Sequence, residues 1–85
     1  MHQIFLPIVI AVYSMFPGHT ATQKPGDLCL LENHRTGEIK IYASDNDAWC
    51  DYKVEAGTKY TITVSSEREI VYTHTFTAIA EDQEY

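Results

Sequence analysis

The sequence predicts an all-β domain, a sandwich or small barrel of five or six short antiparallel strands. Three observations carry this. Apolar and polar residues alternate with period two, most clearly from Lys59 to Ser65, where Tyr60, Ile62 and Val64 oppose Thr61 and Thr63. Clusters of Gly, Asn, Asp and Ser separate such stretches. No stretch shows helical periodicity.

The elements follow in chain order. Ile4 to Phe16 is a nearly uninterrupted apolar run, broken by Pro17-Gly18 and followed by His19-Thr20-Ala21. That is the layout of a secretory signal, and it is shorter than the ~20 residues a membrane-spanning helix needs. Residues 1–21 are therefore expected to be removed, leaving residues 22–85 as one mature domain of 64 residues. Thr22 to Gly26 reads as a flexible leader. Leu28 to Glu32 is a first strand, Asn33 to Gly37 a turn, and Glu38 to Ala43 a second strand with Ile39, Ile41 and Ala43 on one face and Glu38, Lys40 and Tyr42 on the other. Ser44 to Ala48 is a polar loop, Cys50 to Glu55 a third strand, and Ala56 to Thr58 a turn into Lys59 to Ser65. Glu69 to Ala80 is β-branched and aromatic throughout, and its length predicts a break near Thr73-His74. Glu81 to Tyr85 reads as a frayed acidic tail. The expected inward set is Leu28, Leu30, Ile39, Ile41, Tyr52, Val54, Tyr60, Ile62, Val64, Ile70, Tyr72 and Phe76.

Cys29 and Cys50 are the only cysteines, so one intramolecular pairing exists. Behind a secretory signal that pair is expected to be a structural disulfide, because an exported chain meets an oxidising space. So small a domain buries only about 60% of its unfolded surface and needs such a cross-link.

The net charge of −6 lies wholly beyond residue 21. An acidic surface argues against nucleic acid and against anionic membranes, both of which need cationic patches. The chain has no room for a deep cofactor pocket, and no cofactor is expected. Asp45, Asn46, Asp47 and Asp51 lack the glycine and terminal glutamate of a calcium loop, so they read as a solvated turn without metal. His34 and His74, with Glu38, Arg68 and Glu69, supply acid and base groups but no nucleophile motif, so no catalytic site is expected. The function expected is binding, by a monomer.

Strand 38–43 carries that expectation. If it lies at a sheet edge, it accepts another protein's strand through backbone bonds while alternate side chains select the partner. Lys40 and Tyr42 are the expected contacts among the candidate residues Glu38, Ile39, Lys40, Ile41, Tyr42 and Ala43. Asp45 and Glu38 frame the edge and select a basic partner surface. Trp49, the single tryptophan, packs on the disulfide or anchors a partner. On this reading Tyr42→Ala spares the fold, whereas Ile41→Pro destroys both fold and binding.

A signal peptide, a mature chain of this size, six short strands and a disulfide starting at Cys29 in the first strand together resemble the MAX effectors, the avirulence proteins and ToxB-like toxins that fungi secrete into plants. The resemblance spans Leu28 to Ala80. It implies a six-stranded antiparallel β-sandwich of two three-stranded sheets, with strands one, two and six in one sheet and three, four and five in the other. It also implies a virulence role without enzymatic activity, outside or inside the host cell cytoplasm. The partner it implies is a host plant protein, including heavy-metal-associated (HMA) domains, free or integrated in immune receptors. Cys50 lies earlier than the second cysteine of many members. Two other functions remain open: a secreted enzyme inhibitor that inserts the loop SDNDAW into a cleft, and a minimal secreted hydrolase using His34 or His74.

Overall fold

In the computed structural model, which describes residues 15–85, the chain forms β1 (Met15–Ala21), β2 (Leu28–Asn33), β3 (Ile39–Ala43), β4 (Trp49–Glu55), β5 (Lys59–Ser66), β6 (Glu69–Thr77) and β7 (Gln83–Glu84). They make a three-stranded sheet in the order β4-β1-β7 and a four-stranded sheet in the order β3-β2-β5-β6. All pairings are antiparallel except β1 with β7. The all-β class, the two sheets and the disulfide are as the sequence predicts. The strand count and distribution are not: seven strands divide three and four.

Residues 1–14 of the expected secretion signal lie outside the described residues, and the segment that completes it forms β1. The grouping of the other strands differs from the one the resemblance implies, because β5 sits beside β2 rather than beside β4. The cross-strand pairs explain this placement. Leu31 faces Ile62 and Cys29 faces Val64, so two buried apolar pairs join β2 to β5.

The core lies between the sheets and consists of Cys29, Leu31, Cys50, Tyr52, Val54, Tyr60, Ile62, Val64, Phe76 and Ala78. Cys29 on β2 bonds Cys50 on β4, so the disulfide crosses the core from one sheet to the other. Tyr52, Val54, Tyr60, Ile62, Val64 and Phe76 point inward as expected. Leu28, Ile39, Ile41, Ile70 and Tyr72 are exposed and Leu30 is half-buried, contrary to the expected inward set. Side chains alternate along a strand, so a buried Cys29 puts Leu31 inside and Leu28 and Leu30 outside.

Two further expectations are corrected. β6 runs unbroken through Thr73-His74, and the irregularity lies instead in its register with β5, a bulge at Val64/Ser65. The acidic tail is also tied down. Tyr85 stacks on Phe76 with ring centroids 3.5 Å apart, and its backbone N–H donates to the His19 carbonyl.

The segment before β2 is a bonded loop centred on Asp27, which is buried. Its carboxylate accepts hydrogen bonds from the Gln23 and Lys24 backbone N–H groups and from the Ser66 hydroxyl. Burial tends to raise this carboxyl, but those hydrogen bonds and the Lys24 charge outweigh it and hold it below the ordinary value. A lowered folded value means the stabilisation is present above about pH 4 and is lost as pH falls through the folded value. Asp27→Asn is therefore expected to lower the melting temperature at pH 7. That gap should narrow as pH falls below about 4 and through the lowered folded value, where the wild-type carboxyl is neutralised as well. Thermal melts of both proteins across this range check it.

Candidate functional site: the open edge of β3

β3 is the first strand of the four-stranded sheet and has one hydrogen-bonded neighbour, β2. The turn that launches it is closed by the Asn33 carbonyl accepting from Gly37 N–H at 2.7 Å, with Gly37 at a φ of 77° that glycine adopts without Cβ strain. Asn33 N–H donates to the Glu38 carbonyl, and Ser44 N–H donates to the Asp27 carbonyl. Even-numbered residues 38–44 thus turn their backbone groups toward β2. By alternation, Ile39, Ile41 and Ala43 direct N–H and C=O away from the sheet. Among the described residues nothing pairs with that row. The strand is the open edge that the sequence reading required.

Its side chains face opposite to the expectation. Tyr42 sits across from buried Cys29 and packs toward the core, its ring centroid 5.9 Å from that of Tyr52. Lys40 lies on the same inward side, at the rim of a cavity of about 180 Å³ between the sheets that Glu38, Lys53, Glu55 and Tyr60 also line. Ile39 and Ile41 face solvent, with Ile41 64% exposed. The reason is parity again: once the disulfide fixes Cys29 inside, its partner Tyr42 must share that face, and Ile41 cannot.

The outward face is consequently apolar. Ile41 lies opposite Leu30 and Ala43 opposite Leu28, so two apolar rows cross from β3 to β2. The second row continues through Ser65 to Ile70 on β6, which is 71% exposed. The sequence reading missed Leu28, Leu30 and Ile70 as surface residues. The cysteine parity was the signal that would have found the two leucines; Ile70 follows from the bulge at Val64/Ser65, which the sequence does not announce.

Tyr42→Ala is accordingly expected to destabilise the fold by about 1–2 kcal/mol, since it removes an aromatic ring packed on the core edge. Chemical denaturation reads this directly. An unchanged midpoint would place the Tyr42 ring in solvent.

The remaining candidates spread around the loop after β3. Asp45 caps that loop: its carboxylate accepts from Asp47 N–H at 2.9 Å and Trp49 N–H at 3.1 Å. Trp49 is half-buried and stands edge-on to His19 at 5.9 Å, rather than lying on the disulfide or projecting freely. His34 Nε2 lies 2.7 Å from the Thr61 hydroxyl, and His74 stacks against Tyr72 and Phe76. The histidine that meets carboxylates is His19, with Nε2 2.9 Å from Asp82 and Nδ1 3.5 Å from Asp51. It ties β1 to β4 and to the segment before β7. Among the described residues no group of three His, Cys, Asp or Glu is arranged to hold a metal ion.

Comparisons of the chain with protein-family models, with curated proteins and with solved structures give no match.

Proposed function

We propose that this chain is a secreted, non-enzymatic protein-binding domain, an effector of a plant-pathogenic fungus that captures a host protein by strand addition to β3. The observation that carries the reading is the open backbone row of Ile39, Ile41 and Ala43 bordered by an apolar outer face. A strand added there gains main-chain hydrogen bonds, and its outward apolar side chains extend the rows already formed with Leu28 and Leu30. A net charge of −6, with Glu38 and Asp45 exposed at the two ends of β3, favours a basic partner surface by steering encounter. The resemblance to MAX effectors supplies the directed candidate, an HMA domain whose own sheet edge meets β3. It rests on the small, disulfide-linked two-sheet fold, and the strand grouping departs from the family pattern.

The test is capture from plant extract with the oxidised protein as bait, together with purified HMA domains in a direct titration. The expected result is a partner lost when the β3 edge is blocked. Retention of every partner by an edge-blocked variant overturns the reading.

One observation favours the inhibitor reading as the second. The loop between β3 and β4 is held by Asp45 on both sides, with Ala48 at a φ of 61° and Ala48 N–H donating to the Asp45 carbonyl. A loop so fixed presents a preorganised surface to a cleft. Loss of partner with Trp49→Ala, and not with β3 variants, would select it.

A further inference from the structure

β1 occupies the segment that the sequence reading assigns to the removed signal. It pairs with β4 along its whole length, from Met15 opposite Glu55 to Ala21 opposite Trp49. It is the central strand of its sheet, so among the described residues β4 and β7 have no other strand partner there. Thr20 is 1% exposed, and its hydroxyl lies 2.6 Å from the Tyr52 hydroxyl. Phe16 packs against the core, and Gly18 is pressed so closely on Tyr52 that a Cβ would lie 2.7 Å from the ring. A chain beginning at Thr22 would lose all of these contacts. It would also strip β4 of β1, leaving the backbone groups that pair with it unpartnered.

We propose that the secretory signal ends no later than Ser14, and that the mature domain keeps β1. The sequence upstream suffices for this. Ile4 to Tyr13 is ten residues, within the span of about 7–15 that a signal core uses, and Ser14 is the small residue required before the cut. At that position a signal peptidase adds water across the Ser14–Met15 peptide bond, leaving a carboxylate on Ser14 and a free amine on Met15. The inference concerns where the domain begins and stands apart from the choice of partner at β3.

The full chain, expressed through a eukaryotic secretory pathway, tests it by intact mass and thermal melting of the secreted product. The expected mass corresponds to a chain starting at Met15 or earlier; any later start overturns the proposal. Two variants inside the disputed segment add an independent readout. Gly18→Val, which drives its side chain into Tyr52, should lower the melting temperature by about 10 °C. Thr20→Val, which is nearly isosteric and leaves the Tyr52 hydroxyl unpaired, should lower it by about 4–8 °C. If Gly18→Val yields no folded product, Thr20→Val decides. If instead the segment is cut away, both variants give the wild-type mass and the wild-type melting temperature, and the proposal is wrong.

Discussion

Cys50→Ser is expected to lower the stability of this domain by about 2–5 kcal/mol. Both sulfurs are fully buried, and the bond joins β2 of one sheet to β4 of the other. The cross-linked residues are 21 apart in sequence. Closing a loop of that size removes roughly 3 kcal/mol of freedom from the unfolded chain, on the entropic account. The substitution also leaves a serine hydroxyl and a cysteine thiol facing each other in an apolar core, which adds a desolvation cost of about 1–3 kcal/mol if the hydroxyl finds no partner. Small domains have only about 5–15 kcal/mol in total, so the oxidised and reduced proteins should differ in whether they fold cooperatively at all near physiological temperature. Urea denaturation with and without reductant measures the difference, and intact mass shows the two hydrogens gained on reduction. Native secreted protein with two free thiols, or a Cys50→Ser midpoint equal to wild type, would refute the claim. A bond of this kind persists where the surroundings are oxidising and is open to loss where they are reducing.

The strand positions were legible in the sequence because turn chemistry is local. Gly37 and Gly57 stand in turns where the chain takes left-handed φ values of 77° and 85°, and the five strands between Leu28 and Thr77 begin within a residue of where alternation places them. The faces were legible only where one buried anchor existed. In β5 the alternation of Tyr60, Ile62 and Val64 with threonine leaves a single choice. In β2 both parities are apolar, with Leu28 and Leu30 competing against Cys29 and Leu31, and in β3 the alternation points to the wrong face, since Ile39 and Ile41 lie in solvent while Tyr42 packs on the core. The disulfide chooses, because a bond between sheets requires both cysteines inside. Strand order was not legible, since it depends on long-range pairs such as Leu31 with Ile62. β1 was hidden for a different reason: Pro17-Gly18 reads as a break after an apolar run and so as part of a secretion signal, whereas in the fold both residues lie inside the strand. Phe16, Gly18 and Thr20 do alternate inward, but proline and glycine mask that period. The strand proposed as the site was thus placed correctly along the chain, while its two faces were exchanged.

That exchange reverses the outcome expected for Ile41→Pro, which now separates folding from binding. Ile41 is 64% exposed, so its loss opens no cavity. Its N–H points away from β2, so a proline there removes no hydrogen bond of the existing sheet, and proline is tolerated on the outer side of an edge strand. The residue before a proline is pushed to extended geometry, which Lys40 already has within β3. The variant should therefore fold, with a stability within about 1 kcal/mol of wild type. An incoming strand, however, meets a missing donor and a ring at the centre of the edge. Strand addition should weaken by at least about tenfold, equivalent to about 1.4 kcal/mol. Lys40→Pro is the matched control. Its N–H faces β2, so the ring breaks the β2–β3 ladder and leaves a carbonyl of β2 unpaired, which should cost about 1–3 kcal/mol. The pair of substitutions, one residue apart and identical in chemistry, gives opposite expectations for the fold. Circular dichroism and urea midpoints read the fold, and titration with the captured partner reads the edge. If Ile41→Pro binds that partner as tightly as wild type, β3 is not the recognition strand. If Ile41→Pro unfolds while Lys40→Pro does not, the backbone parity of the edge is the reverse of the one derived from the Asn33–Glu38 and Ser44–Asp27 hydrogen bonds.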